Sequence, residues 1–190
     1  MDNNLPTREE CLFLMKKQGM LPNIVRHSLV VERVAVFLCQ TLIQTGEVFD
    51  LQEIVAAALL HDITKTSSIH TRENHAQTGK NLLKELGYHR IGEIIGSHIE
   101  LPPMHFRSPQ ISAEEIVNYA DKRVCQESIV TLAERFQDLV NRYGVTPEAC
   151  FRLKKLEEQN IQVEKKIFSK IKRNPDTLPE LIIYHEDMIS

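Results

Sequence analysis

The 190-residue sequence predicts an all-α fold, a helical bundle with a C-terminal helical arm. Helix-capping patterns recur along the chain, in which Thr, Asp or Ser stands three residues before Glu. Apolar residues follow at helical spacing, as in the stripe formed by Val30, Val34, Phe37 and Leu38. Strand patterns are nearly absent, and only residues 181–184 have the composition of a short strand.

The first three helices have clear start and stop signals. Thr7 begins a capping box that opens a short helix, and Gly19 ends it. A longer helix is expected over residues 22–44, with proline in its first turn and Gly46 after its end. Asp50 caps the next helix, which carries an alanine-rich apolar run. The later predicted elements are a loop at 64–74, helices at about 74–86 and 90–98, a loop with three prolines at 101–110, a long helix at 112–144 and a last helix at 146–173.

The composition bounds the class of protein. With 42% hydrophobic residues, 26% charged residues and a net charge of −3, the chain is typical of one globular domain. We expect this domain at residues 1–145, with residues 146–190 as a helical extension packed on it or projecting from it. No apolar run approaches the roughly 20 residues of a membrane span, and the polar N-terminus does not resemble a signal peptide. The four scattered cysteines indicate a reduced, cytoplasmic protein.

The alanine-rich run ends in His61-Asp62, which offers an imidazole nitrogen beside a carboxylate oxygen. This pair of donors suits a metal such as Fe, Mn, Zn or Ni. Taken alone, the pair is weak evidence, because either residue could simply end a helix. The interpretation therefore depends on whether other ligands reach the same point in a helical fold.

Four further residues are candidate ligands. His27 lies on the core-facing side of its predicted helix, His75 begins a helix, and His98 ends another. Asp121 lies in an apolar segment, where a carboxylate is costly unless it is paired or binds a metal. Each has a structural alternative: a satisfied core histidine, a histidine at a helix end, or a paired carboxylate. The candidate partners for Asp121 in that case are Arg26, Lys122 and Arg123.

The order His, His-Asp, His, His, Asp resembles the HD superfamily of metal-dependent phosphohydrolases over roughly residues 20–125. The local contexts are also similar, in Val-Arg-His-Ser at 25–28, Leu-Leu-His-Asp-Ile-Thr-Lys at 59–65 and Asn-Tyr-Ala-Asp-Lys-Arg at 118–123. The family's His-Asp-Ile-Gly-Lys signature has glycine where this chain has Thr64, and Lys65 matches its lysine. The Gly-Tyr-Pro signature of cyclic-dinucleotide phosphodiesterases and the Glu-Asp pair of alarmone hydrolases are missing.

The resemblance implies a helical bundle whose metal ligands point inward. His27, His61, Asp62 and Asp121 match the ligands common to the superfamily. His75 and His98 match the extra histidines of its dinuclear branch, in which Asp62 would bridge two ions. This branch includes the hydrolases that cleave diadenosine tetraphosphate symmetrically, which the chain resembles most. The implied cofactor is one or two divalent metal ions, with Fe, Mn, Zn, Ni or Mg as the occupant.

We therefore expect a phosphohydrolase that acts on a nucleotide or dinucleoside polyphosphate. A water activated by the metals would attack phosphorus, with Asp62 and Lys65 as catalytic residues and Lys65 also contacting the substrate phosphate. Arg107, in the 101–110 loop, is expected to bind a non-reacting phosphate, or else is a surface arginine on a connector. With one metal, a phosphodiesterase or 5′-nucleotidase is the alternative. Another alternative is a regulatory nucleotide-binding module with little turnover.

The expected partner is a small phosphate-bearing molecule, and neither a membrane nor a nucleic acid is expected. The segment from residue 146 onward is rich in lysine. It could be a solvated helix face, the contact of a homodimer, or a weak RNA-binding surface.

Overall fold

The computed structural model describes the backbone of residues 4–189 and the side chains of residues 4–183. Within that part of the chain, ten α-helices surround one core and a two-stranded hairpin interrupts them. The helices are α1 (Arg8–Lys17), α2 (Pro22–Gln44), α3 (Leu51–Leu60), α4 (Lys65–Thr71), α5 (His75–Glu85), α6 (His89–Gly96), α7 (Ala113–Lys122), α8 (Leu132–Tyr143), α9 (Pro147–Ile171) and α10 (Leu178–Ile189). The antiparallel strands are β1 (Val124–Cys125) and β2 (Ser128–Ile129), and 3₁₀ turns occupy Pro103–Phe106 and Pro175–Thr177. The predicted all-α class is confirmed.

The predicted capping residues begin their helices as expected. The Thr7 hydroxyl accepts a hydrogen bond from the Glu10 amide, and the Glu10 carboxylate accepts one from the Thr7 amide. Asp50 accepts from two amides in the first turn of α3. These bonds satisfy amides that have no partner inside the helix, and so they fix where each helix starts.

Helix α3 lies at the centre of the bundle. It packs against α1, α2, α6 and α7, and its Ala56, Ala57 and Ala58 side chains are fully buried. Helices α5 and α6 form an adjacent pair that approaches closely at Gly92, where an added Cβ would lie 2.9 Å from the Lys80 carbonyl. Helix α3 packs against α1, α2 and α7 and also against α6 of this pair. The residues that follow its C-terminus therefore lie between these two sets of helices.

Three predictions about the elements were wrong. Residues 64–74 were expected to be a loop but include α4, which ends where Arg72 adopts a left-handed conformation with φ 60°. The expected long helix at 112–144 is divided, because Gln126 turns left-handed with φ 56° and the hairpin separates α7 from α8. Residues 181–184 belong to α10 and not to a strand, since Leu178 and Ile182 are buried one helical turn apart.

The C-terminal helices share the core with the rest of the bundle. Helix α9 packs against α2, α7 and α8, and its Val163 and Ile167 side chains are buried. The guanidinium of Arg123, at the end of α7, is fully buried and donates to Tyr119, Glu164 and two backbone carbonyls. The boundary at residue 145 stays a prediction. In the described part of the chain, no helix has both the length and the apolar character that crossing a bilayer requires.

Candidate metal centre

The six predicted ligands converge in two neighbouring groups. The ligand atoms within each group lie within 4.8 Å of one another. The first group comes from α2, the residue after α3, and α7: His27, His61 and Asp121. The second comes from the turn after α3, the start of α5 and the segment just after α6: Asp62, His75 and His98.

Asp62 lies between the two groups. Its Oδ2 is 3.3 Å from His61 Nε2, while its Oδ1 is 3.2 Å from His75 Nε2 and 3.6 Å from His98 Nε2. On the other side, Asp121 Oδ1 is 3.6 Å from His61 Nε2. The two oxygens of one carboxylate therefore face different groups, as a bridging ligand requires.

Three of the four histidines are oriented by backbone carbonyls. His27 Nδ1 lies 2.9 Å from the Gln126 carbonyl, His61 Nδ1 lies 2.8 Å from the carbonyl of Ala58, and His98 Nδ1 lies 2.7 Å from that of Ile95. A carbonyl can only accept, so each Nδ1 must carry a proton, and Nε2 is the ring atom left to face the centre and bind a metal. A hydrogen bond from the other ring nitrogen to a carbonyl is typical of histidines that bind metals.

Two ligand atoms at the centre lack hydrogen-bond partners in the described part of the chain, which tests whether the residues fit a cation. His61 Nε2 and Asp62 Oδ1 are buried and make no hydrogen bond with any described residue. Leaving such groups unpaired costs free energy. A divalent ion would satisfy them, and the mixed nitrogen and oxygen donors suit a transition metal. The residues therefore fit the metal that their pattern implies.

The electrostatics of the buried cluster also favour positive charge. Burial alone would raise the pKa of Asp62, but His61 and Lys65 outweigh it and hold that pKa well below its usual range. Burial would lower the pKa of His61, but the carboxylates of Asp62 and Asp121 raise it to about 10. For His98, burial dominates and lowers the pKa to about 4, so this imidazole is neutral and free to act as a ligand. The centre thus holds ionised carboxylates, which favour a nearby positive charge, beside the neutral imidazole of His98.

Residues around the ligands hold them in place. Lys122 Nζ donates to Asp121 Oδ2 at 2.6 Å and to the His98 carbonyl at 3.0 Å. The side-chain amide of Asn118 donates to the same carbonyl at 2.9 Å and also to Ser97. These contacts tie α7 to the end of α6. Of the partners considered for Asp121, Lys122 is confirmed, whereas Arg26 pairs with Glu127.

Thr64, which replaces the family's glycine, has a role of its own. Its φ of −104° is ordinary for a residue with a side chain, so the turn does not need glycine. Its hydroxyl donates to the His75 carbonyl at 2.8 Å. Thr64 thereby connects the turn that carries Asp62 to the start of α5. Lys65 follows, and its Nζ lies 2.7 Å from Asp62 Oδ2.

A cleft of about 1160 Å³ opens onto the ligands. It is lined by five of the six ligand residues, all but His61, together with Lys65, and by side chains from α8 and α9. Sequence reasoning missed the α8 side because it placed residues 112–144 in one helix. The signal that could have revealed α8 is Thr131-Leu-Ala-Glu134, which forms a full capping box.

The structure does not bring Arg107 to this cleft. Its side chain is exposed and is not among the residues that line the cleft. The reason is the 3₁₀ turn at Pro103–Phe106, which packs against α9. His105 in that turn contacts Ser112 and accepts a hydrogen bond from Lys166. Only the first part of the region after His98, at Ile99 and Glu100, borders the cleft.

Comparison with known proteins supports the assignment of the family. Residues 24–124, more than half of the chain, match the HD domain family. A tRNA (cytidine(56)-2′-O)-methyltransferase of Picrophilus torridus is 29% identical over 170 residues, which cover 82% of this chain. The chain spans 46% of that relative's length. No solved structure matches the chain. By its matched segment and its paired His and Asp groups, the chain belongs to the HD domain family.

Proposed function

We propose that the protein is a metal-dependent phosphohydrolase that acts on a nucleotide-type phosphate, with dinucleoside polyphosphates as the first substrates to test. The HD domain implies the superfamily of metal-dependent phosphohydrolases. The observation that carries the proposal is the position of Asp62, whose two oxygens face two different groups of ligand atoms. This arrangement supports a dinuclear site, and the resemblance to diadenosine tetraphosphate hydrolases supports the substrate class.

The residues have distinct roles in this proposal. Metal ions held by the two groups would lower the pKa of a water and neutralise charge on a phosphate. Asp62 and Asp121 supply negative charge, and the carbonyl-oriented histidines supply nitrogen ligands that need no reorientation. Lys65 lines the cleft beside Asp62, where its ammonium would stabilise the charge of a substrate phosphate. Buried surroundings strengthen each of these interactions.

A second candidate substrate is a phosphate carried by RNA. The name of the P. torridus relative describes action on tRNA, and the cleft is open to solvent with several arginines on its rim. This candidate differs from the expectation that nucleic acids are not partners. A substrate screen should therefore include short RNAs with terminal phosphates beside small nucleotides.

The test is a screen of metal-loaded protein against mononucleotides, cyclic nucleotides, dinucleoside polyphosphates and the short RNAs. We expect hydrolysis of at least one class, and its loss in Asp62→Ala because the carboxylate between the two groups is removed. Asp176→Ala, an exposed aspartate outside the cleft, is the matched control. No turnover in any class, with metal bound in stoichiometric amount, would contradict the proposal and favour a regulatory nucleotide-binding module.

A further inference from the structure

The wall of the cleft formed by α8 and α9 lies outside residues 24–124, which match the HD domain. It contributes Arg135, Leu139, Tyr143, Arg152, Leu153 and Leu156 to the cleft. None of them belongs to the two ligand groups, so these residues are not needed to hold a metal. Their chemistry therefore bears on what else occupies the cleft.

Arg135 is a buried cation with incomplete pairing. It is 8% exposed, and its Nε makes no hydrogen bond with any described residue. Its Nη1 lies 3.2 Å from Asp138 Oδ2, but Asp138 also accepts from Arg142 at 2.9 Å. One carboxylate shared by two guanidinium groups leaves net positive charge. Burying such charge is costly unless an anion pairs with it.

The charge of Arg135 also reaches the catalytic side of the cleft. Arg135 and Lys65 line the same cleft as like charges. An anion bound between them would relieve their repulsion. The planar fork of donors of a guanidinium suits two oxygens of a phosphate.

The same wall is apolar beside the arginine. Leu153 and Leu156 are each 7% exposed and line the cleft with Leu139, while the Tyr143 ring is 54% exposed at the rim. Inorganic phosphate or a simple phosphate ester would leave this surface unused. A nucleoside would cover the leucines and could stack its base on the tyrosine. The cleft volume of about 1160 Å³ exceeds the roughly 300–1,000 Å³ usual for small-molecule pockets, so a phosphate and a nucleoside fit together.

We propose that α8 and α9 form the nucleotide-binding half of the cleft, in which Arg135 binds a phosphate and the leucines with Tyr143 receive the nucleoside. The inference rests on the proposed function, because it takes the same cleft as the substrate site. It makes α8 and α9 the elements that select nucleotides over other phosphate compounds.

The test measures binding separately from turnover. Isothermal titration of the metal-loaded protein uses two probes, adenosine 5′-(α,β-methylene)diphosphate and inorganic phosphate. We expect the wild type to bind the nucleotide analogue at least about tenfold more tightly than phosphate, and Arg135→Gln to weaken the analogue at least about tenfold. Tyr143→Ala should weaken the analogue but leave the affinity for phosphate unchanged. Metal content should be the same in every variant, because none of these residues is a ligand.

The controls separate a binding role from a structural one. Arg173→Gln changes an exposed arginine outside the cleft and should bind both probes like the wild type. Arg135→Lys keeps the charge but not the planar fork, and should bind the analogue with intermediate affinity. If Arg135→Gln does not fold, the Arg135→Lys and Tyr143→Ala results decide the question. Analogue binding no tighter than phosphate, or unchanged in all three cleft variants, would overturn the inference.

The hydrolysis screen distinguishes the two proposals. Turnover of a nucleotide with a KM that Arg135→Gln and Tyr143→Ala do not change would refute this inference and leave the proposed function standing. Analogue binding that depends on these residues, without turnover of any substrate, would support the inference and refute the phosphohydrolase activity.

Discussion

Replacing Arg123 with methionine should destabilise the protein severely. The guanidinium is fully buried and donates to the carbonyls of Val130 and Pro175, to Tyr119 and to Glu164. Methionine would fill the space of the aliphatic stem but leave the Val130 carbonyl without its donor, while the Pro175 carbonyl would keep the bond from the Leu178 amide.

An unsatisfied buried carbonyl costs about 1–3 kcal/mol, and breaking a buried ion pair by removing one partner costs about 3–5 kcal/mol. The two costs should not be added in full for this network, because Glu164 is partly exposed and keeps its bond from Tyr119. We therefore expect the free energy of unfolding to fall by about 3–5 kcal/mol in Arg123→Met. That is a large share of the roughly 5–15 kcal/mol of a typical domain.

Urea unfolding followed by circular dichroism measures this loss. The control is Arg142→Met, which removes an ion pair to Asp138 from an arginine whose side chain is 42% exposed. Exposed pairs contribute about 0–1 kcal/mol, so the control should remain close to the wild type. An Arg123→Met protein within about 1 kcal/mol of the control would refute the reasoning that this network holds the hairpin and the C-terminal helices to the bundle.

Three further predictions concern the site and its supports. If the site binds two ions, His75→Ala and His98→Ala should each lower the metal content measured by atomic absorption, and full retention of metal in both would exclude the second ion. Arg107→Ala should leave KM and kcat unchanged on any substrate found, because the side chain lies outside the cleft, and a raised KM would contradict that placement. Burial alone would raise the pKa of Glu114, but its hydrogen bond from Arg90 outweighs burial and lowers it. A lowered folded-state pKa gives stability that is present above the unfolded value and is lost as pH falls. The Tm of the wild type should thus fall more steeply below about pH 4.5 than that of Glu114→Gln, and parallel curves would exclude the effect.

Local signals in the sequence predicted the helix starts well. Thr7, Asp50 and Ser112 each satisfy first-turn amides, and these bonds depend only on neighbouring residues. The break after α7 was missed because it depends on distant contacts. Gln126 adopts its left-handed turn where the hairpin meets α2, with its carbonyl against His27. Nothing in the local pattern of residues 122–130 reports that contact.

The ligand residues could be proposed from their order, but their arrangement could not. That Asp62 directs one oxygen to each group follows from how α3 is packed between α2 and α6, which is a property of the whole bundle. Arg135 was missed for a similar reason. It is buried and incompletely paired only because α8 folds back as a separate helix, and in an uninterrupted helix the same residue would be an ordinary arginine.

The spacing of the ligands along the chain has a consequence for folding. His27 and Asp121 are 94 residues apart, and His75 and His98 are 23 residues apart. An ion held by both members of a pair is a reversible cross-link that closes a long loop of the chain, and closing loops restricts the unfolded state. Binding to the folded state alone adds stability that grows with the logarithm of free metal concentration. The lifetime of the folded protein would then follow the supply of metal, so that a shortage would expose the chain to unfolding and proteolysis.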